Sequence, residues 1–169
     1  MSSTPRYSVE PLGTHDRLSF SSGVQDLDHY LHVQAGQDAR RKVAAPFVLV
    51  DANGTVAGYY TLSAYAIRPS DLPPDVARKF PKYPLIPTTL LGRLAVSQTH
   101  QGQKLGRFLL MDALWRSWKN TAEVASVGVV AEAYNDAVRD FYLRHEFIPL
   151  SDHPRKLFIA MRTIQRAFA

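Results

Sequence analysis

Apolar residues recur along this chain at two spacings, and the change from one to the other marks out its elements. Tyr7 to Leu12 reads as a first strand. From there to about Lys42, Leu27, Leu31 and Ala35 fall on one face at four-residue spacing, with Asp28, Gln34, Asp38 and Arg41 elsewhere. That is the pattern of an amphipathic helix, with Ser21, Ser22 or Asp26 available as its N-cap. Two β-rich runs follow, about 46–51 and 55–67, joined by Asn53-Gly54, a pair that favours a tight antiparallel hairpin. Between Pro69 and Pro87 six prolines rule out any long element. A short helix near Asp75 to Lys79 is all that this excursion can hold.

Leu91 to Val96 is apolar and short, the mark of a buried strand, and a loop from Ser97 to Gly106 leads into a helix reaching Trp118. Val124 to Ala133 carries no charge before Glu132 and reads as a second buried strand. Asn135 then caps a helix from Asp136 to His145, with Ala137, Val138 and Phe141 turned inward. Phe147 to Leu150 and Lys156 to Met161 form a closing pair of strands, and Ile164 to Phe168 a last short helix. The expected fold class is α/β of the α+β type: a mixed, mostly antiparallel sheet with helices on both faces, in a single domain spanning 1–169.

Composition narrows the chemistry. The chain has no Cys, which excludes disulfides, thiolate metal sites and a cysteine acyl-enzyme. No apolar run approaches the ~20 residues of a membrane span, and Met1 to Pro11 has no signal-peptide core. A cytoplasmic protein away from the membrane is expected. A net charge of +5 suits an anionic ligand and leaves room for an acidic partner such as RNA. His29 and His32 lie one helical turn apart without a carboxylate or third ligand, so no metal site is expected.

The strand, loop and helix from Leu91 to Trp118 suggest what that anion is. A helix opening near Leu105 leaves its first N–H groups without intrahelical partners and places partial positive charge at its start. Gly102 and Gly106 let backbone approach a ligand, and Lys104 and Arg107 add formal charge. Such a turn binds phosphate. The segment Gln101-Gly102-Gln103-Lys104-Leu105-Gly106 resembles the acetyl-coenzyme A loop of the Gcn5-related N-acetyltransferase (GNAT) family, Gln/Arg-x-x-Gly-x-Gly/Ala, with Lys104 in place of the middle Gly. A side chain there either crowds the pyrophosphate or points outward to pair with a phosphate of coenzyme A. Asn135 to Phe147 is similar to the family's second hallmark, an Asn-led helix carrying Phe-Tyr and closing in Gly-Phe, with Glu146 in place of Gly.

The resemblance implies acetyl-CoA as cosubstrate, held by Gln101, Gly102, Gln103, Lys104, Leu105, Gly106 and Arg107. The pantetheine arm is expected along the backbone of Leu94, Ala95 and Val96, and Asn135 either bonds that arm, caps its helix, or both. Tyr142 stands where the family keeps its general acid, a phenol of ordinary pKa ~10 that is protonated at neutral pH. Glu132 is the only acidic residue close to this motif that could serve as a base.

Further segments, including Phe20 to Gly23, Gln34-Ala35-Gly36-Gln37-Asp38 and Ala57 to Ala64, are similar to acetyltransferase toxins of bacterial type II toxin–antitoxin pairs. This implies acetylation of the α-amino group of aminoacyl-tRNA, a block on translation, a ribbon-helix-helix antitoxin and, often, a homodimer. Arg40, Arg41, Lys42, Arg78, Lys79, Lys82 and Arg93 are the residues expected to meet the tRNA. An acetyltransferase of a small amine or peptide, and an inactive module that only binds acetyl-CoA or antitoxin, are the alternatives.

Overall fold

A computed structural model describes residues 6–168; the first five positions of the amino-terminal stretch read above lie outside the described residues. Seven strands form one sheet in the order β1-β2-β3-β4-β5-β7-β6. They are β1 Ser8–Pro11, β2 Ala45–Val50, β3 Val56–Ile67, β4 Ile86–Val96, β5 Gly128–Glu132, β6 Ile148–Leu150 and β7 His153–Ala160. The pairs β1–β2, β2–β3, β5–β7 and β6–β7 are antiparallel, and β4–β5 is parallel. The mixed, mostly antiparallel sheet expected from the sequence is therefore present. The helices are α1 Gln25–His29, α2 Ala35–Arg41, α3 Pro74–Ala77, α4 Leu105–Asn120, α5 Asp136–Arg144 and α6 Met161–Phe168.

The backbone divides into two compact units, Met1–Ser63 with Arg93–Ala113, and Ala64–Gly92 with Leu114–Ala169. The core of the first is Phe20, Leu27, Tyr30, Leu31, Ala35, Val48, Val50, Val56, Tyr59 and Ala95. The four-residue spacing of Leu27, Leu31 and Ala35 does put all three inside, but not on one continuous α-helix. A π-helical turn, Tyr30–Gln34, separates α1 from α2. The expected side-chain cap is also absent, because Val24 precedes α1 and the Ser22 hydroxyl and N–H both donate to the Asp28 carboxylate instead. In the second unit Ile67, Leu72, Ile86, Val130, Leu150 and Phe158 form the core.

Two strand starts and the buried face of one helix differ from the sequence reading. β4 begins at Ile86 rather than Leu91, so Pro87 lies inside a strand; Val127 donates its N–H to the Pro87 carbonyl, a bond that needs no N–H from the proline. β5 begins at Gly128, and Val124, apolar but 64% exposed, belongs to the turn after α4. In α5 the one buried residue is Tyr142, while Ala137 is exposed and Val138 and Phe141 are half-buried.

Candidate active site

In the first unit, the end of β4 runs into the loop from Ser97. The parallel ladder between β4 and β5 has its last rung at Leu91↔Ala131, and β4 continues past it to Val96. Near that end, a Cβ on Gly58 would stand 2.8 Å from the Ala95 carbonyl oxygen, so β3 passes close to it only because residue 58 has no side chain.

The loop itself is held by side chains. The Ser97 and Thr99 hydroxyls lie 3.0 Å apart, and Thr99 lies 3.0 Å from His100 Nδ1. His100 Nε2 reaches Asp51 Oδ2 at 3.1 Å. With the proton on Nε2 donated to Asp51, Nδ1 is left to accept from Thr99, which in turn accepts from Ser97. Asp51 also accepts the N–H groups of Asn53 and Thr55; its own desolvation works the other way, yet these bonds and His100 hold its carboxyl below the usual range. The Tyr7 hydroxyl donates to Gln103 Oε1 at 2.7 Å, and the Gln101 amide donates to the Val96 carbonyl at 3.4 Å. Nothing in the local sequence signals these anchors, since Tyr7 and Asp51 are distant along the chain.

Two positive φ angles shape the turn before α4, 85° at Gly102 and 60° at Lys104. Turns of this kind gather main-chain N–H groups into a concavity that suits an anion. Lys104 thus keeps the left-handed backbone that glycine ordinarily supplies, and its carbonyl accepts the N–H of Phe108 as α4 begins. Gln101, Gly102, Gln103, Lys104 and Arg107 are exposed, Gly106 is half-buried, and Leu105 is buried and anchors the helix. Open glycine backbone, free helical N–H groups and two exposed cations fit a pyrophosphate.

Arg93, on β4, has its guanidinium 3.6 Å from the centre of the Tyr30 ring. Tyr30 in turn stacks on Tyr59, whose ring meets Phe20 edge-on. The Tyr30 hydroxyl donates to Asp38 at 2.8 Å, and burial together with that carboxylate pushes its pKa up. Arg93 therefore caps an aromatic column rather than standing in open solvent. Arg40, Arg41 and Lys42 are exposed at the end of α2, where Lys42 takes φ 61°. Arg78, Lys79 and Lys82 are exposed in the other unit. His32 Nε2 lies 2.8 Å from the Phe20 carbonyl, which explains it structurally, and among the described residues no cluster could hold a metal ion.

In the second unit, Asn135 does cap α5, its side chain accepting the Val138 N–H at 2.9 Å. The other end of the helix closes in a Schellman motif. The N–H of Phe147 donates to the Tyr142 carbonyl, that of Glu146 donates to Leu143, and Glu146 lies between them at φ 70°. Glu146, in place of the Gly of the resembled motif, adopts the glycine-like conformation itself. The motif also sets Phe147 against Tyr142, with ring centres 5.0 Å apart, and Phe141 touches the same ring from the helix.

Tyr142 is 1% exposed, and burial, with a smaller contribution from Tyr134, raises its pKa. Among the described residues its hydroxyl has no hydrogen-bond partner. Glu132 lies 3.9 Å from the Lys156 ammonium, which donates to the Tyr65 hydroxyl at 2.9 Å, so its carboxylate is engaged in an ion pair.

The model of the acetyltransferase (GNAT) domain matches residues 44–149. The chain belongs to the GNAT family. As a GNAT enzyme it is an acetyl-CoA-dependent N-acetyltransferase, and acetyl-CoA is its cosubstrate. This GNAT chain is 33% identical over 147 residues to the tRNA-acetylating toxin of Mycobacterium tuberculosis, covering 87% of each protein. Among solved structures it is similar to AtaT complexed with acetyl-methionyl-tRNAfMet, with a TM-score of 0.89, 29% identity, and coverage of 97% of this chain and 100% of AtaT. It is also similar to a Tyr-to-Phe AtaT mutant bound to acetyl-CoA and the C-terminus of the antitoxin AtaR, with a TM-score of 0.83, 26% identity, and coverage of 96% and 98%. Among the described residues no helix is long and apolar enough to cross a membrane.

Proposed function

We propose that this acetyltransferase is a toxin that moves an acetyl group to the α-amino group of aminoacyl-tRNA and so blocks translation. The observation that carries this reading is the full-length similarity, 33% identity over 87% of both chains, to a tRNA-acetylating toxin. The AtaT structure with an acetylated methionyl-tRNA supports the same substrate class.

The chemistry of the residues agrees with it. Acetyl-CoA supplies a thioester carbonyl activated for attack by an amine. The turn Gln101 to Arg107 holds the pyrophosphate through main-chain N–H groups and the charges of Lys104 and Arg107. The backbone of Leu94, Ala95 and Val96 lies along the pantetheine, with an N–H placed to stabilise negative charge on the carbonyl oxygen. Asn135 keeps α5 in place. The Tyr142 hydroxyl, kept protonated by burial and without a protein acceptor, gives its proton to the departing sulfur.

No strong base is needed, because an aminoacyl ester lowers its amine's pKa below the ~7.7–8.0 of an ordinary α-amine. Transfer is direct, since the chain has no Cys to carry an acyl group. Arg40, Arg41, Lys42, Arg78, Lys79, Lys82 and Arg93 supply the positive charge that meets the RNA backbone. Both compact units form one acetyltransferase domain in this reading. Its partner is a ribbon-helix-helix antitoxin, it acts in the cytoplasm, and it pairs as a homodimer.

The test is transfer of labelled acetyl from acetyl-CoA to a pool of charged tRNA, with Tyr142→Phe beside the wild type. Formation of N-acetyl-aminoacyl-tRNA by the wild type, and loss of most of that rate in Tyr142→Phe, is the expected result. Wild-type transfer to small amines but not to charged tRNA refutes the substrate. A Tyr142→Phe rate equal to wild type refutes the acid.

A further inference from the structure

Helix α2 carries a glycine at position 36, where alanine would be the better helix former. Its backbone is not in the left-handed region, so no turn requires it. What covers it is a pair of arginine side chains. The point where a Cβ would stand lies 2.8 Å from Nη1 of Arg17 and 3.3 Å from Nη1 of Arg40. Two guanidinium groups from different segments thus converge on one bare patch of helix.

Arg40 stands over Gly36 as residues four apart on a helix do, but nothing in the helix brings Arg17 there. Among the described residues neither side chain has an ion pair or hydrogen bond. The carboxylate nearest along the helix, Asp38, is occupied by the Tyr30 hydroxyl and the Gln34 amide. Like charges at this separation repel unless an anion stands between them. Arg is the side chain suited to grip a phosphate with a planar fork of donors. Arg40 is exposed and Arg17 half-buried, so both remain within reach of a ligand at the surface.

We propose that Arg17 and Arg40, brought together across the bare face of Gly36, form a clamp for one backbone phosphate of the tRNA. The assignment of tRNA rests on the function proposed above, whereas the anion site rests on the geometry alone. Arg17 carries no sequence signal, being a lone basic residue outside every basic cluster. Gly36 lies in a segment that resembles the toxins and to which no role had been given.

The experiment measures binding of uncharged tRNA from roughly 50 to 200 mM salt, where each phosphate contact contributes about one to the slope of log affinity against log salt. Wild type is compared with Arg17→Ala, Arg17→Lys and Gly36→Ala. Arg17→Ala is expected to bind about tenfold more weakly with a slope shallower by about one. Arg17→Lys is expected to keep the slope and lose part of the affinity, since the ammonium lacks the fork. Gly36→Ala keeps both charges but pushes the guanidinium groups off the patch, so affinity falls several-fold while acetyl-CoA affinity and melting temperature do not. The clamp is refuted if Arg17→Ala leaves affinity and slope as in wild type, or if Gly36→Ala binds tRNA as tightly as wild type. A wild type that binds tRNA through this clamp yet acetylates no charged tRNA overturns the substrate reading and leaves the clamp standing.

Discussion

Replacing Glu146 by Gly should stabilise this protein, although it removes a side chain and shortens nothing in the core. Glu146 sits at φ 70°, in the left-handed region, as the residue after the α5 C-cap. For a residue with a Cβ that conformation costs roughly 1–2 kcal/mol. Glycine removes the strain but loses more chain entropy on folding, roughly 0.5–1 kcal/mol. The difference favours Gly by about 0.5–1 kcal/mol. At roughly 2–4 °C per kcal/mol for a chain of this length, the melting temperature should rise by about 1–4 °C.

The control is Glu146→Ala. Both substitutions remove a carboxylate from a helix C-terminus, where the dipole disfavours it, but alanine keeps the strain. The quantity to read is therefore the gap between Gly and Ala, by thermal and urea unfolding of the three proteins. Turnover should stay within about twofold, because the bond from the Phe147 N–H to the Tyr142 carbonyl and the ring contact both survive. A Gly variant no more stable than the Ala variant would refute the argument.

Two other outcomes follow from the site. His100→Ala cuts the chain of hydroxyls tying the phosphate loop to Asp51, and should raise KM for acetyl-CoA about fivefold, the worth of roughly one hydrogen bond, with kcat nearly unchanged; an unaltered KM in steady-state kinetics would show that the chain does not position the loop. Tyr30, Tyr59 and Tyr142 all have raised pKa values, so above the ordinary phenol value of ~10 the unfolded chain releases protons that the folded chain retains. Stability should therefore be complete below pH ~10 and fall as pH rises beyond it, and alkaline unfolding followed by tyrosinate absorbance should show phenolate forming together with loss of fold rather than before it.

What the sequence disclosed was what local pattern and chemistry carry. The Asn53-Gly54 hairpin, the Asn135 cap and the turn before α4 each depend on residues a few positions apart, and each was legible. The π turn was not, because four-residue spacing of Leu27, Leu31 and Ala35 fits an ordinary helix as well. Pro87 concealed the true start of β4, since a proline usually argues against a strand and the exception depends on which partner atoms face it. Glu146 and Lys104 were visible as departures from a glycine pattern. That both would keep the glycine conformation is decided by the helix ends they serve, and sequence does not show that. The Arg93–Tyr30 stack and the His100–Asp51 contact lay out of reach, being meetings of residues far apart in the chain.

The π turn has a consequence for how the first helical stretch can change over time. An α-helix advances about 100° per residue, so the extra residue accommodated at Tyr30–Gln34 resets the rotational phase of everything after it. Removing one residue there and restoring regular α-helix would turn Ala35, Gly36, Asp38 and Arg40 by about that angle relative to Leu27. Asp38 would leave Tyr30, and a different residue would face the core. Point substitutions along this helix can accumulate one at a time, whereas a change of length within it shifts the core, the aromatic column and the arginine pair together.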